Sequence, residues 1–323
     1  MSGPSNLWVN RLRADFRAVL AGVALLTLVP LFVTTPYSLG ILIVSIYFAL
    51  LALGWNLLAG FTGQFSLAPA AFAMLGGYAT GLLNYHLGAS LAVGIPAGVI
   101  GTALLGWLLG RVVLRLRGPY LALTTLSFAE IARVVVGNSH EFTRGDQGLN
   151  VPTLFQSRVG YYYLFLGTLI VTLLFLYSLL RSRTGRFFLA IRDDPTGAQS
   201  RGIDVVRYKT LAFTISCAIC GLAGSLYGTF SQLVSPEMGS LLQTGLVIAM
   251  VVIGGIGTLT GPLVGALLVY LTSEWLRGIN IQMIVFAATV IIFARFFRTG
   301  LWGLAMRAKP QASEPKGIVG SPT

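Results

Sequence analysis

The chain has 323 residues, 55% of them hydrophobic and 10% charged, with a mean hydropathy of +0.80. A soluble domain carries about 25% charged residues, so this composition excludes one of this size and implies a polytopic helical membrane protein. The net charge of +12 fits basic residues held on one side of a membrane and in contact with anionic headgroups, and no basic, aromatic surface lies outside the apolar blocks to hold nucleic acid.

The chain opens with Arg11, Arg13 and Arg17 ahead of an apolar run that is too long for a signal sequence and has no clear cleavage site. Residues 1–17 are therefore expected to be a cytoplasmic segment, with the first span retained as an anchor over 18–33. A second span follows at 38–58. The stretch GFTGQFSLAP at 60–69 then breaks the apolar pattern. Further spans are expected at 70–85, 91–113 and 119–136. The last of these holds Glu130 and Arg133, three residues apart and able to pair on one helix face. Ionisable groups in a span face a bundle interior or a water path. The pair reads either as a lining of a translocation route or, with greater weight, as a structural lock whose charges cancel.

A polar loop at 137–158 contains His140, Glu141, Arg144, Asp146 and Gln147, with Gly145 and Gly148 permitting tight turns. It is either a docking surface for a soluble solute-binding protein, through Arg144, Asp146 and Gln147, or an ordinary solvated loop. A sixth span is expected at 159–180.

The longest polar run between apolar blocks comes next, at 181–209. Arg181, Arg183, Arg186, Arg192, Arg201, Arg207 and Lys209 stand in it against Asp193, Asp194 and Asp204. So basic a loop belongs on the cytoplasmic side. Phe187, Phe188 and Ile191 share a helical face, and Pro195 is suited to open a second turn. The loop reads either as a handle for a soluble partner or as a solvated segment that only fixes topology.

Spans at 211–230 and 241–253 precede a second break, GGIGTLTGP at 254–262, and spans at 263–275 and 281–296 follow. Residues 18–297 form the expected membrane domain, and residues 298–323 are expected to be a polar, disordered cytoplasmic tail. This ten-span order puts 18 basic residues inside and 3 (Arg144, Arg158 and Arg277) outside, with Arg133 within a span. The asymmetry supports an even span count with both ends cytoplasmic. Cys217 and Cys220 sit in an apolar helix and read as two buried thiols.

The breaks resemble each other loosely, through Gly60-x-x-Gly63 and Gly254-x-x-Gly257, each followed by a proline. Non-helical backbone at membrane depth survives only when buried in protein or lining a wet cavity. Gly60, Gly63, Gln64 and Ser66 in the first break, and Gly254, Gly255, Gly257, Gly261 and Pro262 in the second, are therefore candidates for a translocation path. The alternative is that the glycines only permit close helix packing. The chain has no phosphate-binding loop, no metal-ligand cluster and no nucleophile beside a base. No metal or cofactor site is expected in it.

Four stretches together resemble a known family: NLLAGFTGQFSLAPAAFAMLGGY; RGPYLALTTLSFAEIARVVV with FTRGDQGLNVP; TGRFFLAIRDD with RGID; and VVIGGIGTLTGPLVGALL. They occur, in the family's order, in the permease subunit of branched-chain amino acid ABC importers, and the match is to the longer of the two permease types. The resemblance implies a non-enzymatic, multi-pass subunit of the bacterial inner membrane. It also implies a second permease subunit, two cytoplasmic ATPases that bind ATP and magnesium, and a periplasmic solute-binding protein. Gly185, Arg186, Ile191, Arg192, Asp193, Asp194 and Gly202 would then form the ATPase-coupling segment. One departure stands out. The family has an acidic, alanine-rich helix before its Gly-Ile, whereas this chain has PTGAQSR with Gly197 inside. Related permeases carry urea, short amides or other amino acids, and a channel or secondary transporter working alone is the reading from a different class.

Overall fold

The described residues of the computed structural model are 4–32, 35–113, 119–276 and 300–302. The expected span at 281–296, the rest of the tail, and Arg115, Arg117, Arg277, Arg295, Arg298, Arg307, Lys309 and Lys316 lie outside them. The chain is an all-α membrane bundle. Six helical stretches are long and apolar enough to span a membrane. They lie in helices α1 (Pro4–Phe32), α2 (Pro36–Ala59), α4 (Leu91–Val113), α5 (Pro119–Asn138), α7 (Arg158–Arg181) and α10 (Val205–Ser231). Between them stand α3 (Pro69–Leu87), the one-turn α6 (His140–Thr143), α8 (Arg183–Asp193) and α9 (Pro195–Ser200). The pair α11 (Leu241–Gly254) and α12 (Thr260–Trp275) follows. At about 1.5 Å per residue, each of that pair falls short of a bilayer's ~30 Å apolar core.

Helix α1 begins at Pro4, well ahead of residue 18, with its span-like part at Leu12–Leu31. Arginine and alanine are good helix formers, so the charges that mark this segment as polar do not interrupt it. Similarly, α12 begins at Thr260 and carries Pro262 in its first turn, where proline's missing N–H is tolerated.

Helix α2 is the centre of the bundle. It is apolar all round, as a fully enclosed helix must be, and Ile43, Leu50, Leu51, Leu53 and Trp55 are almost wholly buried. Helices α7, α10, α11 and α12 surround it. On one side α3, α4 and α10 meet along a seam of small residues. A Cβ at Gly76 or Gly224 would strike the backbone of the facing helix, and one at Gly106 would strike Cys217. Across this seam Ser225 Oγ donates to Gly76 O (2.9 Å), and Thr80 Oγ1 donates to Gly94 O (3.1 Å). Small interfacial residues with hydroxyl bridges are how helices associate where lipid removes the hydrophobic drive. Cys217 and Cys220 are both free and buried.

Helix α5 is only lightly enclosed. Leu121, Thr125, Ala129 and Val136 mark its inner face, while Leu123, Ile131, Val134 and Val135 are exposed. At one end of the bundle, strand β1 (Leu149–Asn150) pairs antiparallel with β2 (Leu233–Val234), Leu149 opposite Val234.

Candidate functional site

The basic stretch between α7 and α10 folds as two short helices. Phe188 and Ile191 turn inward and are completely buried. Phe187 packs edge-on against Tyr208 at the start of α10, with 5.0 Å between ring centroids. Gly185 passes so close to the Leu180 carbonyl that a side chain there would collide with it. Arg183, Arg186, Arg192, Asp193 and Asp194 are left exposed. Asp194 caps α9 by accepting the Thr196 N–H (3.0 Å), the usual role of an aspartate ahead of a first-turn proline. Gly197 lies under that carboxylate, which leaves no room for a Cβ. Glycine here therefore suits this short helix. The turn ends on Gly202 at φ +81°, with Gly202 N–H donating to Gln199 O (3.0 Å) and Ile203 N–H to Ala198 O (3.1 Å). This is a Schellman closure, which a glycine permits without strain.

The two glycine-rich breaks, far apart in sequence, pack on each other beneath α8. Asn56, near the end of α2, joins them. Its Nδ2 donates to Thr258 O (2.7 Å), and its Oδ1 accepts from Gly257 N–H (2.8 Å). Gly60 lies against the Gly257 backbone, and a Cβ at Gly60 would overlap it. Arg192 reaches in from α8. Its Nη1 donates to Gly60 O (3.0 Å), while its Nε and Nη2 hold Asp193 Oδ1 (3.0 Å each). Gly63, at φ +68°, approaches the Arg192 backbone. Helix α8, the first break and the second break thus meet at one side chain.

Buried hydrogen bonds complete this junction. Trp55 Nε1 donates to Ser66 O (2.7 Å). Gln64 Nε2 donates to Thr62 Oγ1 (2.8 Å) and to Lys209 O (3.3 Å), at the root of α10. Asp15 of α1 sits at the start of α12 and is 3% exposed. Its Oδ2 accepts from Leu259 N–H (2.9 Å) and its Oδ1 from Thr260 Oγ1 (2.6 Å), with Trp302 Nε1 donating to the same Oδ1. A carboxylate at this end complements the freed N–H groups and the helix dipole. Gly254, Gly255, Gly261 and Pro262 are buried where α11 and α12 meet, with the Gly254 and Gly261 backbones in contact.

The other expected site residues lie apart from this junction. Arg133 Nε and Nη2 donate to Glu130 Oε2 (3.0 and 2.9 Å) within α5, and both side chains are more than a third exposed. The pair bridges no two helices among the described residues. It stands at the edge of the open α5 face. In the 137–158 loop, Arg144, Asp146 and Gln147 are exposed on a built platform. Thr143 Oγ1 donates to Val136 O (2.6 Å), His86 stacks on Phe142, and Arg144 lies over the Tyr85 ring.

Sequence reasoning did not single out Asn56 or Asp15. A lone carboxamide in an otherwise apolar span, four residues before a glycine, was the available signal for the first. A lone acid in the basic first segment was the signal for the second.

Residues 37–294 match the family described as the permease component of a branched-chain amino acid transport system. The chain belongs to that family. This permease is 32% identical over 316 residues to the high-affinity branched-chain amino acid transport system permease protein LivM of Escherichia coli (strain K12), covering 88% of this chain and 74% of that one. It is 26% identical to LivH of Salmonella typhimurium, over 76% of this chain and 89% of that one. The fructose import permease protein FrcC of Rhizobium meliloti is 29% identical over 67% of this chain and 64% of its own. No solved structure matches. The permease is a multi-pass membrane transport subunit and not an enzyme, and its likeness is to the longer permease type. Similarity to both LivM and LivH implies a second permease subunit beside it.

Proposed function

We propose that this permease moves branched-chain amino acids inward, as part of an ABC importer with a LivH-like second permease. Two cytoplasmic ATPases, which carry the ATP and magnesium, dock on the exposed face of α8 and α9. A periplasmic binding protein delivers the solute to the opposite end. The carrying observation is the Arg192 junction. It ties a helix held outside the bundle to the two breaks that end α2 and α11. Movement of α8 therefore reaches both breaks without any intervening flexible segment. Relatedness to proteins named for branched-chain amino acid transport supports the solute class.

Alternating access would reopen the contact between the breaks, exposing Gln64, Ser66 and the Gly254–Pro262 backbone to the route. The open α5 face with Glu130 and Arg133 suits the surface shared with the second permease, where ionisable groups in a span find water or a partner. Uptake of labelled leucine, isoleucine and valine at low concentration should be lost in a strain lacking this gene and restored by it. Uptake that persists at the parental level in that strain overturns the reading. Loss of urea, amide or sugar uptake instead would move it to another solute.

Delivery at the 137–158 loop makes a smaller prediction. Arg144→Glu should raise the concentration of binding protein needed for half-maximal transport about fivefold, the ~1 kcal/mol of one substantial contact. The maximal rate should stay unchanged. An unaltered titration in reconstituted vesicles would remove the loop from docking.

A further inference from the structure

A second feature lies on the side of the bundle next to the coupling helices. A groove of about 590 Å3 opens between the end of α4, the start of α8 and the first turns of α10. Its lining includes Trp107, Arg111, Thr184, Arg207, Thr210 and Leu211. The volume is many times the ~30 Å3 of one water. The Arg111 guanidinium lies 4.4 Å over the Trp107 ring. Arg207 projects from the first turn of α10, whose N-terminal N–H groups add positive potential. Thr210 is 5% exposed, and its Oγ1 has no hydrogen-bond partner. A buried hydroxyl is ordinarily paired, so this one has a hydrogen bond left to give. Asp204, the acid on the rim, is already engaged, accepting the Arg207 N–H (2.9 Å).

The occupant's chemistry follows from the walls. Two guanidinium groups and a spare hydroxyl suit a phosphate. Val206 and Leu211, 40% and 39% exposed, suit hydrocarbon. On α4, which contributes Trp107 and Arg111 to the groove, Leu104, Leu108 and Val112 are exposed, an apolar surface suited to lipid or another membrane subunit. Tryptophan and arginine at this level mark the membrane interface, and the basic loop makes it the cytoplasmic one. We infer that the groove binds an anionic glycerophospholipid of the inner leaflet. Its phosphate lies between Arg111 and Arg207 and accepts from Thr210, with its acyl chains along Val206 and Leu211. Basic pockets between spans on the cytoplasmic side are suited to such headgroups. Because Thr184 of α8 forms part of the wall, the lipid would also brace the coupling helix.

Native mass spectrometry of the full chain, released from detergent and titrated with phosphatidylglycerol or phosphatidylcholine, tests this. Phosphatidylglycerol, whose headgroup has no ammonium to offset its phosphate, should bind beside two arginines about tenfold or more tightly than phosphatidylcholine. Arg111→Gln with Arg207→Gln should abolish the preference. Thr210→Val, which keeps the shape and removes the hydroxyl, should weaken phosphatidylglycerol severalfold and serves if the double variant does not fold. Equal binding of the two lipids, a preference unchanged in the double variant, or phosphatidylglycerol binding unchanged by Thr210→Val overturns the inference. Full displacement of phosphatidylglycerol by millimolar inorganic phosphate would also overturn it, marking a free-anion site.

Discussion

Arg192→Ala should cut amino acid uptake about tenfold or more while the protein remains folded and in the membrane. The side chain is the one link from α8 to the Gly60 carbonyl. A hydrogen bond to a charged donor contributes about 1.5–3 kcal/mol, and each 1.4 kcal/mol is a factor of ten in the docked population. Phe188 and Ile191 still anchor α8, so the helix should stay in place and lose only its hydrogen bond to the first break. With the partner ATPases present, nucleotide hydrolysis should therefore continue while transport falls. Arg192→Lys, which keeps the charge and a donor, should retain part of the uptake. If uptake and hydrolysis both match the parent in reconstituted vesicles, the link carries no coupling.

Asn56→Leu should lower the melting temperature of the purified permease by about 5–10 °C. The substitution is close in volume but leaves Gly257 N–H and Thr258 C=O without their partner. Each group left without its partner inside the protein costs about 1–3 kcal/mol, a large part of a protein's ~5–15 kcal/mol stability. At about 2.1 cal/mol/K of unfolding entropy per residue, a chain of 323 residues shifts by roughly 1.5 °C per kcal/mol, so the two groups together give a shift of this size. The glycines cannot compensate, because Gly60 already lies against the Gly257 backbone. An unchanged melt in detergent would show that the two breaks hold together without Asn56.

What could be read from the residues was local. Apolar run lengths located the long spans, and the spacing of Phe188 and Ile191 revealed the helix that docks. Pro195 marked the start of the second short helix, whereas the capping role of Asp194 and the fit of Gly197 beneath it came only from the structure. The meeting of the breaks was out of reach, since it depends on backbone N–H and carbonyl groups that every sequence supplies. Asn56 finds Gly257 across 201 positions, and Asp15 finds Leu259 across 244. No local pattern encodes such a pairing. The early start of α1 was hidden for a different reason: Arg11, Arg13 and Arg17 carry a topology signal that resembles a polar tail, although the same residues are good helix formers.

The glycine seam between α3, α4 and α10 has a mechanical consequence. Where backbone touches backbone, no side-chain rotamers remain to absorb displacement, and close-packed surfaces transmit strain rather than yield. These three helices therefore form one stiff block. The deformation falls to α5 and to the short pair α11 and α12, whose hold on the block is lighter. A covalent staple placed across the seam would leave the cycle running, whereas one placed between α5 and the block would stall it.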